Sequence, residues 1–118
     1  MITGTVNADG SPEIALTVAG QTWPAIIDTG FNGDLELPDR LRASVNARFA
    51  SRSLSLLASG QSIMEDFYEV DFPFDGQTVV AEATFAPGGE ILVGTHLLRA
   101  YRLEVHFPNQ TVQLDRAI

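Results

Sequence analysis

Apolar residues recur at every second position along much of the chain, the period of a strand with one buried face. Ile14, Leu16 and Val18 alternate with small or polar residues. Asn7-Ala8-Asp9-Gly10 just before them is rich in turn formers, so residues 2 to 19 are expected to form a hairpin. Gly20-Gln21 turns the chain into Trp23-Pro24-Ala25-Ile26-Ile27. The consecutive isoleucines predict a strand buried on both faces, with Pro24 near its start, where a missing N–H is tolerated. Asp28 to Asp34 interrupts this strand, and Leu35-Glu36-Leu37-Pro38 briefly resumes it. Phe49 to Leu57 and Ser62 to Phe72 read as two extended arms joined by Ala58-Ser59-Gly60-Gln61. At the rise of a β-strand these arms would project roughly 25–30 Å. Thr78 to Phe85 and Ile91-Leu92-Val93-Gly94 predict two further strands. Leu103 to Phe107 and Thr111 to Leu114 alternate around Pro108-Asn109-Gln110 as a C-terminal hairpin.

Two segments read as short helices. Asp39 can cap one running to Arg48, with Leu41 and Val45 four apart on one face. Thr95 can cap another carrying Leu97, Leu98 and Tyr101. The expected class is therefore all-β with one or two short helices. Hairpin, strand, loop, short strand and helix occur in the first half and again in the second, a repeat of element order without residue identity.

Length bounds this plan. At 118 residues the chain is expected to form one domain, residues 1–118, with no linker or low-complexity stretch. Hydrophobic residues make up 45% and charged residues 19%, which excludes a disordered chain, and no apolar run reaches the length of a membrane helix. The formal net charge is −8, and all 7 positive charges are arginine. Without a basic stripe to track phosphates nucleic acid is not an expected partner, and without a long apolar run neither is a membrane. There is no cysteine, which removes disulfides, thiol nucleophiles and thiolate metal sites together. Met1 to Thr5 carries neither the charged nor the apolar region of a leader, so a cytoplasmic location is expected.

Asp28-Thr29-Gly30 is the one place where a charge ends a wholly apolar strand. By itself the tripeptide also suits a plain turn, in which Asp and Thr bond back to the backbone. Its setting adds to it: Leu35 to Pro38 follows at once, and Leu92-Val93-Gly94 lies downstream with a second capped segment behind it. Together Ile26 to Phe31, Gly33, Leu35 to Pro38, Ile91 to Gly94 and Leu97-Leu98 resemble the retropepsin-like aspartic peptidases of the pepsin clan. The resemblance is to the small prokaryotic branch with Asp-Thr-Gly-Phe at the site.

That resemblance implies an acid-protease barrel with its active site at a homodimer interface. It implies hydrolysis of a peptide or protein substrate by a water held between two aspartates, with no cofactor and no metal. Two close carboxylates cannot both ionise easily, so they share one proton. The chain supplies a single Asp-Thr-Gly, and Asp28 would be contributed twice across a two-fold axis. In the family, the threonine matching Thr29 locks the two loops together, and the glycine matching Gly30 lets substrate backbone approach. Ser59, Gly60 and Gln61 fall at the tip of the flap that closes over the peptide, and Gly94 falls behind the catalytic loop. Phe31, Asn32, Ile91 and Leu92 are expected to touch substrate, and Phe31, Ile63, Met64, Ile91 and Leu92 as wall residues suggest a preference for apolar residues. Phe31, Asn32 and Thr95 stand where viral members place a small residue, an aspartate and an arginine. The ion pair that supports the viral dimer is thus missing as a unit.

Other polar residues read more plainly. His96 and His106 lack the companions a metal site requires. Glu65-Asp66, Glu69 and Asp71 suit a solvated face, and Asp34 suits a turn rather than a second acid. No histidine is placed by motif to activate Ser51, Ser53, Ser55, Ser59 or Ser62, which argues against a serine hydrolase. The sequence leaves a second reading open: a non-catalytic domain of the same fold that binds peptides or mediates assembly.

Overall fold

A computed structural model describes residues 1–117 of the chain; Ile118, part of the expected 1–118 unit, lies outside the described residues. The order of elements is β1 (Ile2–Val6), β2 (Pro12–Val18), β3 (Gln21–Ile27), β4 (Leu35–Pro38), β5 (Arg48–Leu56), β6 (Ser62–Phe74), β7 (Gln77–Ala86), β8 (Ile91–Val93), β9 (Tyr101–His106) and β10 (Thr111–Arg116). These strands form one hydrogen-bonded sheet in the order β5-β6-β7-β4-β8-β3-β2-β1-β10-β9. β6 also packs across onto β2, so the sheet folds over its own core. The inward positions of the alternating strands fill that core: Ile14, Leu16 and Val18 from β2, Val70, Phe72 and Phe74 from β6, Val112 and Leu114 from β10.

The turns form as their residues dictate. Asn7 Oδ1 accepts the N–H groups of Asp9 and Ser11, which closes the β1–β2 turn. Gly60 at the β5–β6 tip has φ +87°, a conformation that costs glycine nothing, and its N–H bonds the Leu57 carbonyl.

Neither expected helix forms as read. The first is a 3-10 helix of 3 residues, Asp39–Leu41, followed by turns. Leu41 and Val45 are both buried, so their spacing reflects a packed face. But β5 takes the chain at Arg48, leaving too few residues to offset the cost of nucleating a helix. After Thr95 the same holds. Bonds from Arg99 N–H to His96 O and from Tyr101 N–H to Leu98 O make isolated turns, and Tyr101 is already paired to Arg116 in β9. Ile27 is buried as expected, whereas Ile26 is only half-buried.

The repeat of element order is visible in the pairing. β3 runs parallel to β8, β7 runs parallel to β4, and β4 and β8 meet antiparallel at the centre. An approximate two-fold exchange of β3 with β7 and β4 with β8 keeps this pattern. The loop from β3 to β4 must therefore cross the end of β8, and that crossing carries Asp28.

Candidate active site

β3 delivers Asp28 to the end of the sheet beside β8. The register pairs Ala25 with Ile91, Ile26 with Leu92 and Ile27 with Val93, and the Asp28 N–H continues the ladder to Val93 O at 3.0 Å. The chain then turns sharply: Phe31 N–H bonds Asp28 O at 3.1 Å, and Gly30 N–H donates to Asp28 Oδ1 at 2.9 Å. The plain-turn bonds anticipated from the tripeptide are present, and they aim the carboxylate. Asp28 is half-buried while Thr29 and Gly30 are exposed.

The rest of the loop wraps the segment after β8. Gly94 N–H donates to Asp34 O at 3.0 Å, Thr95 N–H to Phe31 O at 2.8 Å and His96 N–H to Gly33 O at 3.2 Å. Gly94 is buried against this loop so tightly that a Cβ there would lie 2.1 Å from Gly33 O. Only hydrogen fits. The Phe31 ring folds over Gly33 and Gly94 and is half-buried; Asn32 is exposed beside it.

Asp34 is no simple turn residue. It is 8% exposed, accepts Glu82 N–H on Oδ2 at 2.9 Å and receives His96 Nδ1–H on Oδ1 at 2.6 Å. It therefore ties the loop to β7 and to the turn after β8. Its burial beside the loop could have been suspected from Leu35, the next apolar position, but the His96 partner could not.

The β5–β6 hairpin stands over the loop. All of β5 except Ser55 is exposed, and Ser59, Gly60 and Gln61 are exposed at the tip. Two ion pairs brace the arms, Arg48 with Asp71 and Arg52 with Asp66. The arginine beside each aspartate, first as hydrogen-bond donor, holds its carboxyl below the usual range. Between hairpin and loop lies a groove of about 420 Å³, lined by Gly30 to Gly33, Glu36, Ser55, Glu65, Phe67 and Thr84 among others. A second groove of about 400 Å³ continues on the far side of Glu36 past Ile63, Met64 and Phe85.

The structure thus gathers Gly30, Phe31 and Asn32 around one groove, beside Asp28. It sets Ser59, Gly60 and Gln61 apart from this loop at the hairpin tip. Leu92 is half-buried next to Ile26, on the face opposite the core, and Ile26 was not anticipated as a surface residue. Ile91 is a correction. It is 2% exposed in the core, since β8 alternates and Ile91 shares the inward face with Val93, so its side chain is not a wall of the groove. Glu36 and Glu65 line both grooves and were not singled out for the site. A charged residue inside the apolar run Leu35-Glu36-Leu37 was the available signal.

The fold is that of the retropepsin-like proteases. A retropepsin-like aspartic protease from Rickettsia conorii superposes with a TM-score of 0.65 over 96% of this chain and 88% of that one, at 15% identity. The solution structure of the simian foamy virus (mac) protease superposes with a TM-score of 0.59 over 74% of this chain and 91% of that one, at 21% identity. No family model and no curated protein sequence matches the chain.

Proposed function

We propose that the chain is an aspartic endopeptidase that works as a homodimer, with one Asp28 from each protomer. The observation that carries this reading is the state of Asp28. It is a half-buried carboxylate at the end of a core strand, on a loop pinned to Val93 and to Gly94–His96. One of its oxygens accepts only Gly30 N–H, and the other has no partner among the described residues. The likeness in fold to named proteases supports the same reading.

In the proposed dimer the two carboxylates share one proton. The ionised one takes a proton from the water between them as that water attacks the scissile carbonyl, and the protonated one donates to the forming oxyanion. Thr29 bonds across the axis, Gly30 and Asn32 meet the peptide main chain, and the hairpin tip with Ser59, Gly60 and Gln61 closes over it. Because water itself is the nucleophile, no covalent intermediate forms.

Hydrolysis of a fluorogenic peptide library by wild type, Asp28→Asn and Asp28→Ala tests this. Both variants are expected to fold and to lose about 10³-fold or more in kcat/KM. Full activity in folded Asp28→Ala would remove the aspartic mechanism.

A further inference from the structure

The groove beside the Asp28 loop is charged in one sense only. Glu36 and Glu65 are the ionisable side chains lining it, and neither forms an ion pair among the described residues. This contrasts with the next acids along β6, because Asp66 and Asp71 are held by Arg52 and Arg48, and Glu69 lies 3.9 Å from Arg48. A chain with 7 arginines places none of them in this groove. Arg42 lines the neighbouring groove, but it is engaged elsewhere. It pairs with Asp39 at 3.4 Å, donates to Tyr68 Oη at 3.2 Å and stacks on the Phe85 ring at 4.4 Å.

Two phenyl rings line the same groove, Phe31 from the loop and Phe67 from β6. An unpaired carboxylate beside aromatic faces is the chemistry that receives an ammonium or guanidinium group. The charge pairs with the head, and the rings take the aliphatic stem and the cation. We propose that Glu36, opposed by Glu65 across the groove, selects substrates carrying an arginine or lysine side chain beside the scissile bond. The proposal deepens the peptidase reading and rests on it. It narrows the apolar preference expected from the wall residues: Ile91 is in the core, and Ile63 and Met64 line the second groove rather than the one beside the Asp28 loop.

The groups facing Glu36 are Glu65 and the Arg52-paired Asp66 on β6, Asp28 at the end of β3 and the engaged Arg42; β7 contributes only Thr84 and Phe85. Burial, then the charges of Glu65 and Asp28, push the Glu36 carboxyl above the usual glutamate range. A neutral carboxyl holds a cation weakly, so preference for a basic side chain should grow as pH rises through the Glu36 titration.

The test uses matched fluorogenic peptides that carry arginine, norleucine or glutamate at one position, scanned along both sides of the scissile bond. Wild type should favour arginine over norleucine by about tenfold at one position. Glu36→Gln should lose that preference and show no change of the ratio with pH. Binding of the same peptides to Asp28→Asn protein, followed by fluorescence anisotropy, reads the groove without hydrolysis. Arginine-selective binding that Glu36→Gln abolishes upholds the proposal even if no peptide is cleaved, in which case the peptidase reading alone fails. Equal binding and cleavage of arginine and norleucine peptides overturns the proposal while leaving the peptidase reading intact. An arginine preference that survives Glu36→Gln, or no binding of any peptide, overturns it as well.

Discussion

Three side chains around the β3–β4 loop do different jobs, and substitution separates them. Asp28 makes one local hydrogen bond that an asparagine oxygen can also accept, so Asp28→Asn should keep the melting temperature while removing activity. Asp34 is the reverse. It is buried and accepts from Glu82 and His96, so Asp34→Ala strands the Glu82 N–H. A part-buried donor that loses its acceptor costs about 1 kcal/mol, a fall of roughly 5 °C in Tm for a domain of this size. Asp34→Asn keeps an acceptor and should recover part of that loss; equal losses in the two variants would mean that the side-chain bonds do not hold the loop. Gly94 is a matter of space. A methyl group at 2.1 Å from Gly33 O must push the loop away from β8, so Gly94→Ala should cost about 1–3 kcal/mol and displace Asp28 at the same time. Thermal melts with peptide hydrolysis on the same samples would show stability and activity falling together in Gly94→Ala and apart in Asp28→Asn.

At the scale of elements, β5 and the first half of β6 carry little of the core, which β6 enters only at Val70, Phe72 and Phe74, and much of the proposed recognition. Its outer arm is exposed, and what fixes its geometry is the ladder to β6 with the Arg48–Asp71 and Arg52–Asp66 pairs. Exposed pairs contribute little to global stability. Replacing both arginines by glutamine should therefore leave Tm within a few degrees and raise KM several-fold, as a loosened arm binds peptide less readily. The sign of the acid response follows from the same pairs. The folded carboxyls titrate below their usual range, so their contribution is present above about pH 4 and is lost as pH falls through the lowered values. Hydrogen exchange across the hairpin, followed from neutral pH to pH 3, should show protection falling in wild type and already reduced in the double variant. The hairpin was legible in the sequence because alternation and Ala58-Ser59-Gly60-Gln61 are local signals. So was Asp28 at the end of an apolar strand. The helices were misread because four-residue spacing reports burial, while the early start of β5 and β9 depends on partners distant in sequence. The His96–Asp34 bond was invisible for the same reason, since it exists only once β4 and β8 are side by side, and Glu36 showed in the sequence only as a charge inside an apolar run.

At the scale of the whole molecule, the approximate two-fold of the sheet is unequal where it matters. The first crossing carries Asp28, and the matching second loop, Pro87-Gly88-Gly89-Glu90, carries no aspartate. Each chain therefore offers half of the proposed dyad, and the other half has to come from a second copy. Among the described residues β1 is already paired on both edges, by β2 and β10, so the N-terminal strand has no free edge to lend to a partner. The surfaces left for assembly include the Asp28-Thr29-Gly30 loop, the hairpin tip and the outer edge of β9. A net charge of −8 on each protomer adds a repulsion that salt screens. Specific activity should consequently fall on dilution through the dimer dissociation constant, and the concentration at half-activity should drop when salt is raised. Mixing supplies a sharper measurement. If wild-type and Asp28→Asn chains associate equally, an equimolar mixture leaves about half of the wild-type chains in fully competent dimers, and excess variant lowers that share further. Activity per wild-type chain should follow this curve after subunit exchange and not before it. A specific activity independent of both dilution and added variant would show that one Asp28 suffices, and that the reaction does not run through a shared-proton pair.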